Sequence, residues 1–415
     1  LATGVPGVMA GIGMLWEKWG RAPWASILAP AQELLDRGFT FRDAAPAVAA
    51  KQDAIRRYPS SVKHLMPAGR LPQPDDVWHR RDMERTLRRL ETAGWRDFYQ
   101  GDLARRIAAH VADVGGILTL DDLKRFEPRI TPPYETRYRN ARISSAVLAN
   151  GGATVAQFLN MMACFEPLPE NDPRHWHRLI ELMKLAWRDR IRYLGDPAHA
   201  RVPLERLLST DYAAGRVEHL RQHPDAVDRL PAPAAGSSPG TANISAVDAE
   251  GNLIACTSSH GGSFGSCLTV PDTGITLGHG MCRFDPHPGL PNSVGPGKRP
   301  LNNVCPTIVS LPGRDIAVGQ RGGRRIVSVV AQMCQRFVDW NQTAAEAVAA
   351  PRLHVEQQEP GEFSESLPPA IAARLRALGH DFTAVKAVGG HANACERLND
   401  GRLRGASNVW AAGVS

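Results

Sequence analysis

Two stretches of the sequence carry residues that could act as nucleophiles. The first is His260-Gly261-Gly262-Ser263-Phe264-Gly265-Ser266, which contains a Gly-x-Ser-x-Gly pattern. In hydrolases that pattern marks a sharp turn that presents a serine hydroxyl, and it needs a strand before it and a helix after it. A strand pattern does precede Ser263, but Cys267 to Gly274 (CLTVPDTG) reads as strand and turn with no helical run. Half of the required context is missing, so Ser263 is the weaker candidate. The second is Gly240-Thr241, where a Pro-, Ala- and Ser-rich run gives way to an alternating one. Cutting that bond would give Thr241 a free α-amine beside its own hydroxyl. Such an amine, with a pKa of about 8, can serve as the base that activates the hydroxyl, directly or through a water. Gly240 suits the position, since glycine tolerates a strained peptide and close approach. Residue type alone leaves the matter open, because a threonine at the start of a strand is ordinary.

The elements around these stretches divide the chain into three parts. Residues 1–222 read as a mostly helical or α+β part. Apolar residues recur at helical spacing over Pro23 to Arg37 and Arg81 to Gly94, Thr119 begins a capped helix, and Pro173 to Tyr193 is a long one. Residues 223–240 (HPDAVDRLPAPAAGSSPG) cannot pack a core and read as a flexible connector. Residues 241–415 open with a period of two. Asn243 to Asp248 and Asn252 to Ser259 form strands around the turn at Ala249-Glu250-Gly251. Thr307 to Leu311 and Ile316 to Val318 flank a second turn, and helices are expected over Arg324 to Trp340, Thr343 to Ala349 and Pro368 to Leu378. A helical half followed by hairpins with flanking helices predicts an α+β layered fold.

Composition narrows the function classes. The 415 residues are 43% hydrophobic and 22% charged, which suits a globular protein with a real core. No apolar run approaches the length of a membrane span. The net charge of +7 is spread along the chain, without a basic tail or aromatic-rich signature, so neither nucleic acid nor membrane is an expected partner. The seven cysteines form no metal spacing, and His175, His177 and His354 lack ligand spacing; no metal or organic cofactor is expected. Reduced buried thiols point to a cytoplasmic setting, although a disulfide among the cysteines from Cys256 to Cys305 stays open. The chain opens without methionine or signal-peptide pattern, and a preceding segment would leave periplasmic or secreted placement open.

The segment from Thr241 to Asn252 (TANISAVDAEGN) resembles the self-cleavage segment of the γ-glutamyltransferase (γ-glutamyltranspeptidase) family. Further motifs similar to that family recur in order along nearly the whole chain. They include Gly4-Val5-Pro6-Gly7, Phe98-Tyr99-Gln100-Gly101, Leu194-Gly195-Asp196-Pro197, Arg299-Pro300-Leu301, Gly322-Gly323 and Pro351-Arg352-Leu353-His354. The resemblance implies an N-terminal-nucleophile hydrolase, an αββα sandwich formed from large and small segments of one precursor. It implies cleavage between Gly240 and Thr241, association of the two resulting subunits, and acyl transfer from a small-molecule substrate; a homo-oligomer stays open. The family's large subunit has a further segment ahead of the glycine-rich motif at which this sequence begins.

The same resemblance assigns roles. Thr241 is the nucleophile, Ser259 orients its hydroxyl, and the backbone N–H groups of Gly322 and Gly323 hold the oxyanion ahead of a helix N-terminus. His260 to Ser266 becomes a substrate-side loop, in which Gly261 replaces an asparagine that helps bind the glutamyl amino acid. Arg283 stands where the family has an acidic residue for the substrate amine, which reverses the charge. Asn302 and Asn303 replace a serine pair that holds the α-carboxylate, and they can still donate hydrogen bonds to an acid. Arg321 lies beside the glycine pair. These departures imply a small carboxylate-bearing amide or specialised metabolite, rather than a γ-glutamyl compound, as substrate. A true γ-glutamyltransferase or glutathione hydrolase, a Ser263 hydrolase, and an uncleaved non-catalytic relative remain the alternatives.

Overall fold

A computed structural model describes residues 3–228 and 240–408. Most of the connector expected at 223–240 therefore lies outside the described residues. The chain forms two compact units whose limits do not coincide with the three-part division of the sequence: residues 1–130 with 260–282, and residues 131–259 with 283–415.

The first unit is helical. Trp24–Arg37 and Arg81–Ala93 pack on each other, as their apolar spacing predicts. Thr119 closes a capping box with Asp122, its hydroxyl accepting from the Asp122 N–H. The stretch from His260 to Cys282 completes this unit. Ser61 Oγ donates to the Cys267 carbonyl at 2.7 Å, and Ser60 Oγ donates to that of Thr269 at 2.6 Å.

The second unit is a layered α+β sandwich. Its main sheet has six strands: β1 (Tyr134–Tyr138), β2 (Ala141–Ser145), β5 (Thr307–Leu311), β6 (Arg314–Gln320), β7 (Ala392–Leu398) and β8 (Leu403–Ser407). They run antiparallel throughout, in the order β8-β7-β6-β5-β2-β1. Helices α1 (Gly152–Met162) and α3 (Arg325–Asp339) pack on one face, with α2 (Pro173–Tyr193) behind α1. On the other face lies a separate hairpin of β3 (Thr241–Val247) and β4 (Leu253–Ser259), paired so that Thr241 stands opposite Ser259.

Hairpin β1–β2 supplies strands within residues 1–222, where the sequence marks only helices. Its strands carry charged and hydroxyl residues at most positions, a weak signal, and Arg139 makes the turn at a φ of 52°. The hairpin β3–β4 does alternate, but in the reverse sense. Asn243 and Ser245 face the main sheet, while Ile244 and Ile254 are exposed on the outer side.

The sheet-facing side of α3 and most of α2 are buried in one apolar core with Trp176, Trp187, Phe158 and Phe337. Histidines 175, 177 and 354 are all buried. His177 Nδ1 meets His380 Nε2 at 2.8 Å, and His380 Nδ1 meets Glu359 at 2.7 Å. Burial, then the neighbouring His380, pushes His177 down to about 4; burial, then the charge of Arg336, pushes His175 down to about 3. In the unfolded chain both titrate near the ordinary histidine value of about 6.5. Below that pH the unfolded state takes up protons that the folded state refuses, so stability falls as pH drops from about 6.5 toward 4. Each such histidine costs up to about 1.4 kcal/mol per pH unit in that window. Thermal melts across pH 7 to 4 should show the decline, and His177→Asn should flatten part of it.

Candidate active site

Residues the sequence singled out meet at one end of the hairpin in the second unit. Thr241 is 6% exposed. Its Oγ lies 2.9 Å from Ser259 Oγ across the strand pair. Ser259 Oγ also donates to the carbonyl oxygen of Gly240 at 3.4 Å, and accepts from Arg283 Nη2 at 3.2 Å. A hydroxyl thus links the threonine oxygen, the carbonyl that precedes it and a guanidinium. Arg283 is itself held through its backbone, whose carbonyl accepts from Asn292 Nδ2 at 2.7 Å.

The stacking of the hairpin on the main sheet fixes what lies beneath Thr241. Asn393 Nδ2 on β7 donates to the Asn243 carbonyl at 3.1 Å, and Cys395 Sγ approaches that of Ser245 at 3.1 Å. On β6, Asn393 pairs with Gly319 and Cys395 with Ala317. Gly319 is the residue under Asn243: a Cβ there would lie 2.1 Å from the Asn243 amide nitrogen. One strand repeat back, the same register brings Thr241 level with His391 and Arg321. These two are joined by Arg321 N–H to the His391 carbonyl at 2.9 Å and by Arg321 Nη2 to His391 Nε2 at 2.8 Å. A guanidinium only donates, so Nε2 accepts and the neutral ring carries its proton on Nδ1.

Gly322 and Gly323 follow Arg321 directly and lead into α3. Gly322 has a φ of +141° and packs on the backbone of Gly389, whose oxygen would be 1.9 Å from a Cβ at 322. Gly323 has a φ of +64°. Their carbonyls accept from Arg325 and Ile326 N–H, which starts the helix, while no carbonyl of the described residues takes either glycine N–H. Two backbone donors at a helix N-terminus suit a developing negative charge.

Asn302 and Asn303 sit on the approach to β5. Asn302 N–H donates to the Ala149 carbonyl, and Asn302 Oδ1 accepts from Asn303 N–H at 2.8 Å. Beneath them Arg190 of α2 donates to the Asn302 carbonyl at 2.7 Å and to Asn303 Oδ1 at 2.9 Å.

Gly261 and Ser263 belong to the first unit. Gly261 has a φ of +91° and lies against the His279 carbonyl, 2.7 Å from where a Cβ would be. Ser263 is followed by turns and bends, and the next helical segment is the single 3-10 turn Gly280–Arg283. The strand–turn–helix setting of a nucleophile elbow is absent there.

Sequence reasoning did not single out Arg190, His391 or Gly389 as site residues. Gly389-Gly390 ahead of an alternating strand was the available signal for the last two. For Arg190 it was helical spacing, three residues past buried Trp187 and seven past Met183. Elsewhere, His177, Glu181 and His380 bring ligand atoms within 4.8 Å of one another. That cluster already contains a cation, since Lys184 Nζ lies 2.6 Å from Glu181 and 3.1 Å from Glu359. It reads as a buried ion-pair network.

Comparison with known proteins agrees with this architecture. The chain is 30% identical over 416 residues to the Acylase ACY 1 proenzyme of Pseudomonas sp. strain SE83, covering 99% of the chain and 74% of the relative. It is 30% identical over 435 residues to the Glutathione hydrolase proenzyme of Escherichia coli K12, covering 98% and 74%. The solved cephalosporin acylase from Bacillus halodurans superposes with a TM-score of 0.85 at 25% identity, over 99% of this chain and 79% of that one. The gamma-glutamyltranspeptidase family model matches residues 1–415. With a layered α+β fold and a match over its full length, the chain belongs to the γ-glutamyltranspeptidase family and is a hydrolase or acyltransferase of the N-terminal-nucleophile type.

Proposed function

We infer that this protein is a self-cleaving amidohydrolase or acyltransferase that uses Thr241, freed as an N-terminus, on a small amide whose acyl group carries a carboxylate. The observation that carries this reading is the hydrogen-bonded set at the head of β3: Thr241 Oγ, Ser259 Oγ and the Gly240 carbonyl, with Arg283 donating into it. In the precursor, Thr241 Oγ attacks the Gly240 carbonyl carbon as its proton passes to the departing Thr241 nitrogen. Water then hydrolyses the ester, leaving a Gly240 carboxylate and an N-terminal Thr241. In turnover the α-amine takes the Oγ proton while Oγ attacks the substrate carbonyl. The proton passes to the leaving amine, and water or an amine acceptor releases the acyl group. Gly322 and Gly323 N–H groups would hold the oxyanion in each step.

The acidic substrate is supported by charge. Arg283 donates to Ser259 and Arg321 stands level with Thr241 by strand register, and a substrate ammonium beside Arg283 would be repelled by about 1 kcal/mol or more in a partly buried setting. A dicarboxylic half-amide of the oxamate type, or a longer one, fits that field. The acylase relatives lend weight to an acyl group other than γ-glutamyl, whereas the glutathione hydrolase relatives support the second reading, hydrolysis of a γ-glutamyl compound.

Intact mass and N-terminal sequencing test the first half of this reading: purified protein should yield a fragment beginning Thr-Ala-Asn-Ile. Paired assays on a glutaryl anilide and a γ-glutamyl anilide test the second, with at least tenfold higher kcat/KM expected for the glutaryl compound. Arg283→Asp should narrow or invert that ratio. Turnover of the γ-glutamyl anilide at the higher rate would overturn the substrate assignment and leave the nucleophile standing.

A further inference from the structure

Arg190 is 1% exposed, yet among the described residues its guanidinium bonds only neutral acceptors: the Asn302 carbonyl at 2.7 Å, Asn303 Oδ1 at 2.9 Å and Thr154 Oγ at 3.3 Å. Its plane lies 5.4 Å from the Trp187 ring centroid. The nearby Cys305 supplies no counter-charge, because burial pushes its thiol up to about 12. Glu356 does act on Arg190, but it already pairs with Arg324 at 2.9 Å. The other charges that act on Arg190 are cations, Arg324 and Arg283.

Three other deeply buried cations of this unit pair with carboxylates. Arg314 pairs with Glu396 at 2.9 Å, Arg336 with Glu170, and Lys184 with Glu181 at 2.6 Å. Arg352 has no carboxylate but donates to the Val348 carbonyl, at the C-terminal end of the helix Ala344–Ala349, where the helix dipole is negative. Among the described residues Arg190 has neither form of compensation. A buried ion left this way is costly to a fold, and here burial holds its pKa down to about 9.

Arg190 also lies directly beneath the two asparagines. Its bonds hold the Asn302 carbonyl and the Asn303 side chain inward, and Asn302 Oδ1 is occupied by Asn303 N–H. Asn302 itself is half-buried. We propose that the missing counter-ion is the substrate: Arg190 is a specificity-determining positioning residue whose unneutralised charge draws the carboxylate of a dicarboxylic half-amide to Asn302 and Asn303. The proposal rests on the acidic-substrate reading above and is independent of which residue is the nucleophile.

Asn303→Asp supplies the absent carboxylate from within. Its melting temperature is expected to rise by a few degrees, because Arg190 gains an ion pair. Millimolar glutarate should raise the melting temperature of the unaltered protein, glutaramide at equal ionic strength should not, and Asn303→Asp should abolish the glutarate effect. KM for the glutaryl anilide should rise at least tenfold in Asn303→Asp, with kcat changing less. Arg190→Lys should retain part of the glutarate shift, and Arg190→Gln should lose it. Should Arg190→Gln fail to fold, the Asn303→Asp comparison still decides. An unchanged or lower melting temperature for Asn303→Asp, or equal stabilisation by glutarate and glutaramide, overturns the proposal. A protein that shows the glutarate effect but is not cut before Thr241 leaves this site standing and removes only the nucleophile assignment.

Discussion

Thr241→Ala is expected to leave the chain as one polypeptide and to lower amide turnover by at least about a thousandfold. The hydroxyl has two jobs in the proposed chemistry, and alanine removes both. In the precursor it is the atom that attacks the Gly240 carbonyl, whose oxygen is already bonded by Ser259. In the mature enzyme it is the atom that carries the acyl group. The substitution is sterically mild: Thr241 is a buried residue at the first position of β3, and alanine fits within the same space. A melting temperature close to that of the parent protein would assign the loss to chemistry. Thr241→Ser supplies the contrast, since it keeps an oxygen within reach of Ser259 and should retain slow cleavage and measurable turnover. A Thr241→Ala protein that still cuts itself, or turns over at the parent rate, would return attention to Ser263, for which Ser263→Ala is the matching test.

Gly322→Ala should produce the second-largest loss, about a hundredfold or more in kcat with a smaller change in KM. Two physical effects combine. A φ of +141° is a backbone conformation that residues with a Cβ rarely adopt. The added methyl would also lie 1.9 Å from the Gly389 oxygen and 2.6 Å from its carbonyl carbon, backbone atoms that cannot swing aside. Relief requires the 321–323 turn or the 389–390 turn to move. Either shift displaces the N–H groups assigned to the oxyanion, which act only if held where charge develops. Because those donors serve the tetrahedral intermediate more than the bound substrate, the effect should fall on kcat. Slowed appearance of the Thr-Ala-Asn-Ile N-terminus, followed by gel over time, provides a second reading of the same loss. Unimpaired cleavage and turnover would remove the glycine pair from the oxyanion role.

The longer helices Trp24–Arg37, Arg81–Ala93 and Pro173–Tyr193 were legible because apolar spacing and end signals agreed, whereas Gly152–Met162 was not marked. Pro173 to Tyr193 was read to the residue, since Asp172 and Pro173 start it and Gly195-Asp196-Pro197 stops it. The hairpin β3–β4 was equally plain from its period and its turn at Gly251. The strands β1 and β2 were not, because hydroxyl and charged residues at most of their positions give no clear apolar face; they become strands by pairing with each other and, through β2, with β5.

The sequence by itself determined the family, the longer helices, the hairpin β3–β4 and the candidate peptide bond at which a threonine would gain an amine. Those properties are written in local spacing and in short motifs, and they survive any arrangement of the pieces. Only the tertiary structure decided that Arg283 donates to Ser259, that the head of β3 lies level with Arg321 and His391, and that Arg190 stands under Asn302 without a carboxylate. These relations join residues from 24 to 150 positions apart in the chain. Hydrogen-bond partners and counter-ions are set by which strands stack and which helix packs beneath them, and no local pattern encodes that.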